Sequence, residues 1–217
     1  MLLAVKRALD DQSFAVAIHA CVVISYRYNV IGSLSTSDQE RVYATATAGV
    51  LAATHTSSTA ILSALSQIYP SDAVFRASFA DKAIGTTQSR NKRIVRYTLA
   101  QIEKHCSGAH HDFDSDTFNI EHVLPQNPDA GWEAFPEGEL ENYIYRLGNM
   151  TLLESSANRD LGASDYAAKR AAYEKSGFQI TAKLAEDNAS WDPERLQARQ
   201  NWMANQAVSI WRLAQLS

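Results

Sequence analysis

The chain has 217 residues, 46% of them hydrophobic, and carries 24 acidic against 20 basic side chains for a net charge of −4. This suits one large domain or two small ones with an ample core; no apolar run approaches the roughly 20 residues that cross a bilayer, and Met1 to Val5, followed at once by Lys6 and Arg7, lacks the order of a secretory signal. Cys21 and Cys106 match no CxxC spacing, which predicts reduced thiols in a cytoplasmic protein.

The first hundred residues read as helical. Leu2 to Asn29 is long, apolar and free of Gly and Pro, and predicts one helix that Gly32-Ser33 breaks. Thr36-Ser37-Asp38 reads as the start of an alanine-rich helix running to about His55. Ser57 or Ser58 opens the next, with Ile61, Leu62, Leu65 and Ile68 at three-and-four spacing. Pro70-Ser71-Asp72 ends it and starts another, with Val74, Phe75 and Phe79 on one face. Asn91 to His105 predicts a further helix carrying Ile94, Val95, Leu99 and Ile102.

The pattern then changes. Ser107 to Asp116 is a polar loop, Phe118 to His122 is β-compatible, and Pro125, Pro128 and Pro136 mark a long irregular connection. Ile144 to Leu153 is a second β-like stretch with Gly148-Asn149 as a bend, and Asn158 begins a loop or helix edge. Ser164-Asp165 caps a helix to about Lys175, and Asp192-Pro193 caps the last one, with Pro at its first position. His105, Cys106, His110 and His111 cluster before the β-like stretches, but at spacings that common zinc sites do not use; a polar loop is the preferred reading.

Charge divides unevenly. Residues 1–106 carry 11 basic against 7 acidic side chains, a net of +4, and residues 107–217 carry 9 against 17, a net of −8. Non-specific DNA affinity comes mostly from phosphate neutralisation, so the second half should bind DNA weakly unless the basic run Arg76 to Arg96 helps. That run reads either as a phosphate-contacting surface or as an ordinary solvated helix face.

The informative residues are Ile120-Glu121-His122-Val123-Leu124-Pro125-Gln126, then Leu147-Gly148-Asn149, then Asn158 nine positions later. A single-metal phosphodiesterase needs an oxygen ligand, a neutral imidazole base, an amide to orient that base and a second oxygen ligand. The string resembles the HNH (His-Me finger) nuclease motif, and the chain from about Asn91 onward resembles the C-terminal nuclease domain of GmrSD-type modification-dependent restriction endonucleases. One departure is the 27 positions between His122 and Asn149, lengthened by the Pro-rich loop.

The resemblance implies a mainly α fold with a small ββα-metal (HNH) finger, about residues 118–175, inserted between helices. It divides the chain into a helical support region, 1–106, and a nuclease domain, 107–217. It makes His122 the general base and Asn149 the residue that orients it. Glu121 and Asn158 then bind Mg²⁺ or Mn²⁺. Arg90, Lys92, Arg93 and Arg96, from the basic run, and Arg146, Arg159 and Lys169, inside or near the finger, are the candidate DNA contacts. It further implies a phage-defence role and a partner N-terminal ParB-like nucleotide-dependent domain, of which the chain would be a C-terminal companion. The alternative is a non-catalytic helical module in which a decayed finger serves assembly or nucleic-acid binding. The catalytic residues alone do not separate DNA from RNA.

Overall fold

The computed structural model describes residues 1–216, without the side chain of Glu137. The chain is mainly helical with one two-stranded antiparallel sheet, and it divides into two compact units. Unit 1 is Met1–Phe79 and the chain from Trp211 onward; unit 2 is Ala80–Ile210.

In unit 1 the predicted first helix is broken. Helix α1 (Leu2–Ala8) stops at Leu9, which is extended, and Asp10 caps α2 (Asp11–Ile24) by accepting the Ser13 N–H at 2.7 Å. A short acidic side chain at the start of a helix does this readily, and it outweighs the continuous apolar pattern. Helix α2 runs on into a wider π-helical turn, Ser25–Ile31. The joined run Asp11–Ile31 has 21 residues and contains an 18-residue stretch of mean hydropathy 1.5, enough to cross a bilayer by length and composition, contrary to the sequence expectation. Its buried face instead serves the core of unit 1. Arg27 is fully buried there, donating to the carbonyls of Pro70 and Trp211 and to Asp72, and lying over the rings of Tyr69 and Phe75. Tyr26 stacks on Trp211 with ring centroids 3.8 Å apart. Helices α3 (Thr36–Leu51), α4 (Ser58–Leu65, capped by Ser57) and α5 (Asp72–Ala80) follow the expected order.

Unit 2 is built around the sheet. Strand β1 (Phe118–His122) pairs with β2 (Met150–Glu154), with Glu121 opposite Thr151 and His122 opposite Met150. The β-like stretch expected from Ile144 is shorter: Leu140–Ile144 is a helical turn, α7, and Leu147–Asn149 a 3-10 turn. Helix α6 (Ser89–Ser107) belongs to this unit and packs on both strands, as does α8 (Ser155–Leu161), which follows β2 directly. Helix α9 (Tyr166–Tyr173) is capped by Asp165. Helix α10 (Gln179–Asp187), which nothing in its own sequence announces, is capped from a distance: the buried Glu103 carboxylate of α6 accepts the N–H groups of Gln179 and Ile180 at 3.0 and 2.9 Å. Negative charge at a helix start satisfies unpaired donors and complements the helix dipole. Helix α11 (Pro193–Ile210) lies so close to the Leu147–Asn149 turn that a Cβ on Gly148 would fall 2.6 Å from the Leu196 carbonyl. Buried Arg199 and Gln200 of α11 fasten that turn, Arg199 donating to Gly148 O and Met150 O and Gln200 accepting the Gly148 N–H.

Candidate active site

Strand β1 ends in a cleft of about 280 Å³ whose lining includes Thr86, Lys92, Glu121, His122, Asn158 and Lys169. Glu121 and His122 alternate along the strand, yet both reach this cleft. Glu121 is buried and meets α9, whose buried stripe is Tyr166, Lys169 and Tyr173. Lys169 Nζ and Tyr173 Oη both donate to Glu121 Oε1 at 2.7 Å, and Lys169 also donates to the His122 carbonyl at 2.7 Å. Burial pushes the Glu121 carboxyl up, and the charge and hydrogen bond of Lys169 pull it back. Burial likewise pushes the Lys169 ammonium down, and Glu121 raises it again. Each opposes the shift that burial imposes on the other.

His122 is half-buried, and its Nε2 lies 3.2 Å from Thr86 Oγ1. The ring stands edge-on to Tyr145, with centroids 6.1 Å apart. Burial first, then the positive charges of Lys169 and Lys92, push its pKa down to about 4. The imidazole is therefore neutral at pH 7. Asn158, on α8, donates from Nδ2 to the Ile120 carbonyl at 3.1 Å, and its Oδ1 has no partner among the described residues.

Asn149 is fully buried, and none of its hydrogen bonds goes to the imidazole. Its side chain clamps the backbone two residues beyond His122, accepting the Leu124 N–H at 2.8 Å and donating to the Leu124 and Ile144 carbonyls. Its own carbonyl accepts the Val123 N–H, and Trp191 donates to its Oδ1. An amide with both ends bonded to one backbone segment fixes that segment's path, and so the exit of β1.

Three of the basic residues expected to contact DNA are committed inside the unit. Arg96 is buried and donates to the carbonyls of Phe113, Ser115 and Phe118, tying the 113–118 loop to α6. Arg146 donates to Gln197, Gln200 and the Ala80 carbonyl. Lys169 is the buried partner of Glu121 already described. These hydrogen bonds give each of the three side chains a role inside unit 2. Arg90, Lys92 and Arg159 are exposed, Lys92 beside the cleft; Arg93 is exposed and pairs with Asp114 at 2.5 Å.

Thr86 and Tyr173 were not among the expected site residues. Thr86 stands 36 positions before His122 and nothing in its local sequence marks it. Lys169 and Tyr173 did carry a signal, since a lysine on the apolar stripe of a helix needs a buried anion.

The family model described as GmrSD restriction endonucleases, C-terminal domain, matches residues 69–206. The chain belongs to this family. The match covers the whole sheet, the cleft and all the residues placed around it, so the GmrSD C-terminal domain supplies a restriction endonuclease, with DNA as its substrate, as the setting for this site. No curated protein matches the chain.

Proposed function

We propose that this GmrSD C-terminal domain is an HNH-type, divalent-metal-dependent DNA endonuclease in which β1, β2 and α8 form the ββα finger. The observation that carries the reading is the meeting of Glu121, His122 and Asn158 in one cleft from two separate elements. Among the described residues no group of three or more His, Cys, Asp or Glu could hold a metal ion, so a cation here relies on one carboxylate and one amide. That pair fits Mg²⁺ or Mn²⁺, hard ions that use one or two carboxylates and complete their shell with water and substrate phosphate oxygens. The amide is oriented for it, with Nδ2 engaged and Oδ1 without a partner among the described residues. A bound cation stabilises negative charge on the departing oxygen.

The chain's own residues do the rest. His122, neutral at working pH, takes the proton of the attacking water. Lys169 and Tyr173 keep the Glu121 carboxylate ionised and aimed. Asn149 holds the strand exit that carries His122. The domain works in the cytoplasm in phage defence, and an N-terminal ParB-like nucleotide-dependent domain selects the DNA. Conversion of supercoiled plasmid to open circle, on modified and unmodified DNA and with RNA as a parallel substrate, tests this. Cleavage should require Mg²⁺ or Mn²⁺, stop with chelator, and disappear with cation binding in Glu121→Ala and Asn158→Ala. Absence of metal-stimulated cleavage on every DNA would favour the decayed, non-catalytic module.

Residues 80–210 carry 14 basic against 19 acidic side chains, a net of −5, so DNA affinity in this reading depends on a local basic edge, Arg90, Lys92 and Arg93 on α6 with Arg159 beside Asn158. Neutralising Arg90, Lys92 and Arg93 together should weaken binding to all sequences. The slope of log affinity against log salt should fall by roughly 0.9 for each phosphate that is no longer neutralised. An unchanged slope in filter binding across a salt series would make α6 an ordinary solvated face.

A further inference from the structure

We propose that Thr86 is a positioning residue for His122: its hydroxyl accepts Nε2–H, which fixes the tautomer that keeps the lone pair on Nδ1. The inference rests on the reading of His122 as the base. Thr86 is the imidazole's only hydrogen-bond partner among the described residues, at 3.2 Å. A neutral imidazole has one N–H and one lone pair, and the hydrogen bond made by one nitrogen decides the role of the other. An unanchored ring would divide its time between two tautomers and several orientations, only some of them productive.

The backbone around Thr86 is built to deliver it. The segment from Ala80 to Gly85 is strapped along the turn that precedes β2. Ile84 N–H donates to the Tyr145 carbonyl at 2.8 Å, Leu147 N–H donates to the Lys82 carbonyl at 3.2 Å, and Ala83 bridges Arg146. Arg146 and Gln197 donate to the Ala80 carbonyl, Gln200 to that of Lys82, and Asn91 to that of Gly85. The internal commitment of Arg146 acquires a purpose: it pins the strap rather than a phosphate. Tyr145 serves both sides, its carbonyl holding the strap and its ring standing edge-on to His122. The imidazole is thus held between a hydroxyl and a ring that are fastened to each other. A threonine also suits the position because its β-branched side chain has few rotamers, so the hydroxyl stays where the strap puts it.

The test has two independent readouts. In metal-free wild-type protein at neutral pH, ¹H–¹⁵N long-range correlation should show His122 in the Nε2–H tautomer; in Thr86→Val the same ring should show mixed tautomers. In single-turnover cleavage of plasmid at saturating DNA and Mn²⁺, Thr86→Val should be slower by roughly 10- to 100-fold, the usual loss when a residue that orients an active-site group is removed. Its affinity for DNA and Mn²⁺ should be unchanged, and Thr86→Ser should recover most of the rate. The Nδ1–H tautomer in wild type, or a Thr86→Val rate equal to wild type, would overturn the proposal. So would a drop in DNA affinity that matches the drop in rate, which makes Thr86 a substrate-binding residue. A wild-type protein that cleaves nothing would overturn the nuclease reading instead, and the tautomer measurement would still decide the role of Thr86.

Discussion

Replacing His122 with alanine should lower the single-turnover rate of DNA cleavage by about 10²- to 10⁴-fold, the usual yield of a positioned general base. The fold should survive, because His122 is only half-buried and its hydrogen bond is to one hydroxyl. Cation and DNA affinity should survive as well. Glu121 is held by Lys169 and Tyr173, and Asn158 by the Ile120 carbonyl, none of which uses the imidazole. Rate, thermal midpoint and Mn²⁺ binding measured on one preparation separate these effects. A variant cleaving within a few-fold of wild type, with contaminating nuclease excluded, would remove His122 from the chemistry.

The largest effect on stability should come from Lys169→Met. Its ammonium and the Glu121 carboxylate are both almost wholly buried, 1% and 5% exposed. Removing one partner of a buried pair strands the other and destabilises by about 3–5 kcal/mol. The sign with pH follows from Glu121. Burial raises its carboxyl, and without Lys169 that influence is unopposed by a neighbouring charge. The folded pKa then lies above the unfolded value of about 4.3. The variant should accordingly lose least below that value, where the carboxyl is protonated in both states, and progressively more as pH rises through the folded pKa. Adding Glu121→Gln should recover much of the stability at neutral pH, because a neutral amide needs no counter-charge. Urea unfolding of the two single variants and the double one, at acid and neutral pH, measures this coupling. Strict additivity, or a destabilisation independent of pH, would show that Lys169 acts through packing and not through its charge.

How much of the fold and the site was legible in the sequence depended on distance along the chain. Caps and periodicities are local, so Ser57, Asp165 and Asp192 announced the helices they start. Glu121, His122 and Asn158 line one cleft because a short strand and a short helix bring them together, and Asn149 sits on the turn that precedes β2. Helix α10 was not legible because its cap, Glu103, lies 76 positions away. The surroundings of the basic residues were not legible for a different reason. Composition counts charges but does not tell which are turned inward, and Arg96, Arg146 and Lys169 each hold a structural role that a surface lysine or arginine would not. Thr86 reaches His122 through a strap held by backbone hydrogen bonds and by the side chains of Arg146, Gln197, Gln200 and Asn91, pairings that the sequence around Thr86 does not mark.

Unit 1 is assembled from stretches on either side of unit 2 in the sequence, with Arg27 gripping the Trp211 carbonyl and Tyr26 stacked on the indole. On a ribosome the chain emerges from its N-terminus, and domains usually fold in that order. Here the order is inverted. The α-helices that precede unit 2 cannot close their core until Trp211 has been synthesised, whereas unit 2, contiguous from Ala80 to Ile210, has all its residues before then. The nascent protein carries a finished nuclease unit between two parts of an unfinished one, and the buried guanidinium of Arg27 acquires its last acceptor only once Trp211 has been made.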